Sequence, residues 1–219
     1  MNRKMLISLT VFMLATLACS VLSPNTVVGS GNVVSEKRNV SGFTSIELKS
    51  PADVNITIGT TESAVIKADD NILPLIETNV SNEKLVIGNQ VFKNIRASHP
   101  IQISITMKSL RGIAMSGSGS MNASGLVGQD LVVDLPGSGD ITLTGTANNV
   151  TINLPGSGNI FCDGLKASSA IVTLNGSGNI TVFASESLDA NIRGSGAIRY
   201  NGNPAQVKKN ISGSGTISP

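Results

Sequence analysis

Leu135-Pro136-Gly137-Ser138-Gly139-Asp140-Ile141-Thr142-Leu143 recurs as Leu154-Pro155-Gly156-Ser157-Gly158-Asn159-Ile160-Phe161-Cys162 and again as Leu174-Asn175-Gly176-Ser177-Gly178-Asn179-Ile180-Thr181-Val182. The tripeptide Gly-Ser-Gly starts at Gly117, Gly137, Gly156, Gly176, Gly194 and Gly213, at intervals of 20, 19, 20, 18 and 19 residues. A near-constant period of this size marks a stack of supersecondary units, each of which buries its apolar face only against its neighbours.

With the six copies aligned on the first glycine, a buried column is apolar in every copy. Two residues before it stand Met115, Leu135, Leu154, Leu174, Ile192 and Ile211; four after it stand Met121, Ile141, Ile160, Ile180, Ile198 and Ile217. Stepping by two extends both columns, through Ile113, Val133, Ile152, Val172 and Ala190 on one side and Ala123, Leu143, Cys162, Val182 and Tyr200 on the other. A period of two with polar residues between means strands with one buried and one wet face. Each repeat therefore reads as two short strands, joined by a Gly-Ser-Gly corner on one side and a variable loop such as 145–149 or 164–168 on the other.

The structural corner is the pair Gly117 and Gly119, repeated as Gly137 and Gly139, Gly156 and Gly158, Gly176 and Gly178, Gly194 and Gly196, and Gly213 and Gly215. Two properties of glycine suit it: access to positive φ, and a bare backbone that lets corners stack at about 4.8 Å. After the corner run Ser120, Asp140, Asn159, Asn179, Ala197 and Thr216, a column able to form a side-chain ladder. The pattern predicts an all-β, parallel β-helix or solenoid with ~19-residue turns and Gly-Ser-Gly corners.

Residues 1–18 read as an export signal, with Arg3 and Lys4 before the apolar core Met5 to Leu14. Cys19 directly follows Ala18 and resembles the lipidated cysteine of bacterial lipoproteins, which implies a membrane partner through an N-terminal lipid anchor. Thr16 and Leu17 depart from that motif, so a plain secretory signal or an uncleaved anchor stays open. Ser20 after the cysteine resembles outer-membrane sorting in Gram-negative bacteria. Residues 19–26 form the lipidated end and linker, 27–112 a capping part with looser alternation, and 113–219 the regular turns. Parts 27–219 make one continuous domain whose last turn, with Lys209 in an inward column, is expected to fray.

Removing Arg3 and Lys4 turns 16 Lys+Arg against 14 Asp+Glu into 14 of each. Such neutrality, with 3% aromatics and no Trp, argues against nucleic acid as a partner. The two cysteines, Cys19 and Cys162, are expected to stay apart, and Cys162 falls in an inward column. No cofactor is expected. Asp occurs only once in six at the place where calcium-binding repeats need it, and no corner carries the lysine of a phosphate loop. No catalytic residues emerge either: Asp134, Asp163 and Asp189 occupy different columns, and His99 stands before Pro100 without an evident partner.

The run Gly29-Ser30-Gly31, Arg38 to Ile46 and Asp53-Val54-Asn55-Ile56, followed by serial Gly-Ser-Gly corners, resembles the DUF2807 family, the auto-transporter adhesin head GIN domain. The resemblance implies a right-handed parallel β-helix on exported, often lipid-anchored proteins, with no catalytic residues to carry over. The expected role is thus a non-enzymatic surface module of the cell envelope, located at the outer membrane or cell surface, with an unknown polysaccharide or protein ligand. The alternatives are a polysaccharide-binding or polysaccharide-cleaving β-helix, and a structural envelope protein that self-associates along strand edges.

The column assignment is checked by a pair of variants. Ile160→Asp puts a charge inside the stack and should abolish folding, whereas Asn153→Asp on a wet face should stay within about 0.5 kcal/mol of the parent. Equal melting temperatures would refute the alignment.

Overall fold

A computed structural model describes residues 26–90 and 94–219, so the export signal, Cys19 and most of the linker lie outside the described residues. The described chain is all-β, built on one long, mostly parallel sheet. Its strands are β1 (Thr26–Val28), β2 (Val33–Arg38), β3 (Ser45–Leu48), β4 (Asp53–Ile58), β5 (Ser63–Asp69), β6 (Ile76–Ser81), β7 (Lys84–Asn89), β8 (Asn94–Arg96), β9 (Gln102–Met107) and β10 (Gly112–Met115) in the first half. The repeats follow as β11 (Ser120–Asp134), β12 (Asp140–Leu154), β13 (Asn159–Leu174), β14 (Asn179–Ile192), β15 (Ala197–Asn201), β16 (Gln206–Ile211) and β17 (Thr216–Ser218).

The repeats pair in parallel, in the register that the apolar columns predict. Met121 pairs with Ile141, Ile141 with Ile160, Ile160 with Ile180 and Ile180 with Ile198, while Leu154 pairs with Leu174 and Leu174 with Ile192. These side chains are buried, as are Val133, Ile152, Val172 and Leu143 beside them, and they belong to one hydrophobic core that also takes in the first half of the chain. Burying each aliphatic side chain contributes roughly 1.5–3 kcal/mol, so the sum over adjacent repeats offsets an ordering cost that one repeat alone could not.

At the corners the backbone alone connects one repeat to the next. The Gly117 carbonyl accepts the Ser138 N–H at 3.3 Å and the Gly119 carbonyl accepts the Asp140 N–H at 3.1 Å. The same pair of bonds recurs from Ser157 to Gly137 and from Asn159 to Gly139. A Cβ on Gly137 would strike the Gly117 oxygen, and one on Gly156, Gly176, Gly194 or Gly213 would strike the oxygen of the first glycine below. Gly139, Gly158, Gly178, Gly196 and Gly215 stand likewise over the second glycine's oxygen, and Gly117 and Gly119 over the carbonyls of Ser50 and Ala52. Positive φ is not the reason for these glycines: among the twelve only Gly213, at +131°, has it. Close approach decides the residue type.

The expected variable loops are strand instead. Residues 145–149 lie inside β12 and 164–168 inside β13, and Ala147, Leu165 and Ala167 are buried there. A parallel neighbour satisfies the backbone of such a segment whatever its side chains, so its Gly, Asn and Ser content does not make it a loop. The unequal repeat lengths are absorbed here as register shifts, for example between Thr142 and Gly145 and between Cys162 and Lys166.

The first half departs from simple stacking in two ways. β5 runs antiparallel to both β2 and β9, and β6 antiparallel to β7, so antiparallel strands close that end of the sheet. Moreover β3 and β4 lie between partners that come later in sequence: β3 pairs with β7 and β10, and β4 with β9 and β11. Ser50 and Ala52 hold the corner positions there, and both are buried. At the other end, the turn expected to fray is paired, although every residue of β16 is exposed. β16 pairs with β14 and β17 with β15 in full register, with Ile211 half-exposed because no strand covers it among the described residues.

Gly158→Ala should cost about 3 kcal/mol, since its Cβ meets the Gly139 oxygen and lies 2.9 Å from Leu135 Cδ2. Ser157→Ala, one residue away and exposed, should be near neutral. Denaturant midpoints compare the two, and similar values would contradict the close-approach account.

Candidate functional site

Alternate residues of β4 and of the leading halves of β11 to β15 point outward and form one continuous polar face. Its first column is Asp53, Ser120, Asp140, Asn159 and Asn179, held in register by parallel pairing. Within it Ser120 Oγ donates to Asp53 Oδ1 at 2.7 Å, Asn159 Nδ2 to Asp140 Oδ1 at 2.9 Å, and Asn179 Nδ2 to Asn159 Oδ1 at 3.0 Å. The ladder runs in one direction. Each amide donates toward the preceding repeat, and a carboxylate, which only accepts, terminates the run at Asp140. The next outward column is Asn55, Asn122, Thr142, Phe161, Thr181 and Arg199. Here Asn122 Nδ2 reaches Asn55 Oδ1 at 3.5 Å, and Thr181 Oγ1 donates to Asp163 Oδ1 at 3.0 Å.

The outward face of the trailing halves is built differently. Asn210 Nδ2 donates to Asn191 Oδ1 at 2.7 Å and Asn191 Nδ2 to Asp189 Oδ1 at 2.8 Å, with Lys208 Nζ 3.0 Å from Asp189 Oδ2. Glu47 bridges Lys49 and Lys84 at 3.3 Å each. Burial raises the Glu47 pKa, but the two ammonium groups outweigh it and hold the carboxyl below its ordinary value. Val132 and Ile171 stand exposed among these charges.

A third polar assembly fastens the start of the described chain, and sequence reasoning missed it. Asp69 is fully enclosed. Its Oδ2 accepts the Ser98 N–H at 2.8 Å, its Oδ1 accepts the Gly31 N–H at 3.0 Å, and His99 Nδ1 lies 3.5 Å from the same oxygen. Asp70 accepts from Ser30 Oγ at 2.5 Å and Asn32 Nδ2 at 2.9 Å, while Asn71 Oδ1 accepts the Ser30 N–H. Gly29-Ser30-Gly31-Asn32 is thus seated on Asp69-Asp70-Asn71, and the only available signal was that both segments are rich in turn-forming residues. His99, half-exposed, has a partner after all. Desolvation pushes the Asp69 carboxyl up, yet the Ser98 and Gly31 amides and His99 together bring it below the usual value.

Other sequence candidates stay dispersed. Cys162 is buried between Leu143 and Val182, and burial drives its thiol far above the ordinary range. Lys209 lies over the Tyr200 ring, 4.7 Å from its centre, rather than lining a site. Among the described residues no three of His, Cys, Asp and Glu gather as metal ligands. A recess of about 50 Å³ between Ile58, Leu110, Leu126 and Leu131 holds no more than a few waters. A wider open trough of about 360 Å³ lies on the leading face and is lined by Asn55, Thr57, Asn122, Ser124, Thr142 and Thr144.

A family model described as "Putative auto-transporter adhesin, head GIN domain", DUF2807, matches residues 42–204. The chain belongs to the DUF2807 family. The match begins after Gly29-Ser30-Gly31 and covers every corner up to Gly196. A crystal structure of a "putative adhesin" from Bacteroides fragilis NCTC 9343 is similar, with a TM-score of 0.75 and 28% identity over 88% of this chain and 99% of that one. A "putative lipid binding protein" from Parabacteroides distasonis ATCC 8503 (TM-score 0.57, 24% identity, 88% and 98% covered) and a "putative adhesin" from Parabacteroides merdae ATCC 43184 (0.52, 22%, 89% and 98%) share the fold. No curated protein matches.

The Asp69 clamp sets an acid limit. A lowered folded-state pKa means that the ionised carboxyl adds stability above its unfolded value of 3.8, and that this is lost as pH falls through the lower folded value. Asp69→Asn turns one of the two amide acceptors into a donor and should melt earlier than the parent at pH 7. The gap should narrow below pH 3.8, and a constant gap from pH 7 to pH 2 would exclude Asp69 as the titrating group.

Proposed function

We propose that this DUF2807 chain is a non-enzymatic, adhesin-like module of the cell envelope, built as a right-handed parallel β-solenoid with ~19-residue turns. It is exported by residues 1–18 and held at the outer membrane or cell surface by acyl chains on Cys19. The observation that carries this reading is the arrangement of polar groups on the strand faces. Asp53, Asp140, Asp163 and Asp189 each accept a hydrogen bond from a neighbouring Ser, Asn or Thr, so the acids serve the stack rather than converge on a bond to be cleaved. The open troughs support binding of something large and external, a surface polysaccharide or a protein. The family description and the Bacteroides fragilis likeness point the same way.

Self-association along strand edges is the second reading, favoured by β16, whose residues are all exposed. Lys209, which points back over Tyr200, opposes it, as an inward-pointing charge discourages strand addition. Sedimentation over a hundredfold concentration range separates the two, with a constant monomer expected.

The anchoring claim is tested in cells. The wild-type chain should partition with membranes and take up a clickable fatty acid, and Cys19→Ala should lose both and appear in the soluble fraction. Membrane retention of Cys19→Ala would exclude the lipid anchor. Cells displaying the chain should adhere to coated polysaccharide or matrix protein more than cells without it, and release of sugar fragments by the protein would overturn the non-enzymatic assignment.

A further inference from the structure

We propose that the leading face, the outward side of β4 and of the leading halves of β11 to β15, is where the adhesin-like module binds, and that its ligand is an uncharged polysaccharide lying along the stack. This rests on the adhesin-like reading and gives it a place and a ligand class.

The trough supplies the first reason. Together with Ile56 and Ala123, its lining comprises the short amide and hydroxyl side chains of Asn55, Thr57, Asn122, Ser124, Thr142 and Thr144. Such side chains lose little rotamer freedom when they bind, unlike Lys, Glu or Gln. Asn122 Nδ2 reaches Asn55 Oδ1 of the neighbouring repeat at 3.5 Å, so this pair is already aligned across two strands. The lining side chains repeat at the strand spacing of about 4.8 Å, comparable to the length of a sugar unit in an extended chain.

Phe161 is the second. It stands in the column of Asn55, Asn122 and Thr142, one repeat beyond Thr142, and keeps 38% of its surface exposed where every neighbour in the column is polar. A phenyl ring exposed at the end of a polar trough offers an apolar platform for the C–H face of a pyranose, while the hydroxyls at the ring's edge reach the amides. The bland alternative, a stray surface phenylalanine, does not account for its position in line with the trough.

Charge selects among polymers. The charged side chains on this face beside the trough are Asp53, Asp140 and Asp163, with Lys67 two strands away from Asp53, Lys166 over the Phe183 ring, and Arg199 further along. Each carboxylate accepts one bond from the protein and retains lone pairs for a second donor. A polyhydroxyl chain provides donors at every unit. An acidic glycan or a nucleic acid would instead meet like charge without a basic counterpart in the trough. The trailing face, with its Glu47 to Lys84 and Asp189 to Lys208 pairs, lacks this uniformity.

The test is affinity electrophoresis of the detergent-solubilised full chain in gels containing dextran, yeast mannan or polygalacturonate. Retardation by dextran or mannan, weakened tenfold or more by Phe161→Ala and by Asn122→Lys, is the expected result. Ile171→Ala, which removes an exposed apolar side chain from the trailing face, should bind as the parent does, and melting curves establish that each variant is folded. Retardation by polygalacturonate alone, no retardation by either neutral polymer, or an equal loss in Ile171→Ala overturns the proposal. If Phe161→Ala cells still adhere to their coated surface as well as the parent does, the face is wrong and the adhesin-like reading survives. If parent cells do not adhere and no gel retards the protein, both fail.

Discussion

The approach of one glycine carbonyl to the bare backbone of the next corner sets the geometry on which everything else depends. Where Gly156 sits above Gly137, there is room for a hydrogen atom and not for a methyl group. That contact fixes the repeats at strand spacing on the side where the chain turns, and the bonds from Ser157 and Asn159 to the glycine carbonyls below lock the register. Once the register is fixed, Ile141 must lie over Ile160, and Asn159 over Asp140. Core packing and surface ladders are both consequences of the same alignment. The core supplies most of the favourable free energy, and the corner decides which residues share it.

The repeats were legible because their signal is redundant. A column that stays apolar from Met121 through Ile198 states its orientation five times, and the pairing follows it residue for residue. The segments 145–149 and 164–168 were misread as loops since composition argued for turns, while the stacked neighbour that supplies their hydrogen bonds is not a local property. The glycines were legible as corners but for half the reason: spacing pointed to a tight turn, and only the position of the carbonyl beneath separates steric exclusion from positive φ. The ladder that ends on Asp140 could be anticipated from the Asp, Asn, Asn column. Asp69 could not. Nothing near it in sequence hints that residues 29–31 and 98–99 converge on its carboxyl, because those contacts span many residues and obey no period.

The two outward faces show how one scaffold carries two surfaces. Both use amides that donate toward the preceding repeat, Asn159 and Asn179 on the leading face and Asn210 on the trailing one, where Asn191 then donates to Asp189 of its own strand. They differ in what stands beside the ladder. Hydroxyls, amides and Phe161 accompany the leading one, while ammonium groups and exposed Val132 and Ile171 accompany the trailing one. Because inward and outward positions alternate within each half of a repeat, either surface can change without disturbing the core, provided the corners are left alone.

The position of β3 and β4, between β7 and β9 on one side and β10 and β11 on the other, imposes an order on how the molecule comes into being. These strands are made early, yet neither has a neighbour until residues 84–107 exist, and their second flank stays open until residues 112–124 follow. These pairings join residues far apart in sequence, and the closure entropy of the intervening chain must be met before the rungs of β3 and β4 are complete. After Asp134 the situation reverses. Each new repeat arrives beside a finished one and needs only to copy it, so the molecule nucleates slowly at one end and then grows like a crystal, in the direction of synthesis.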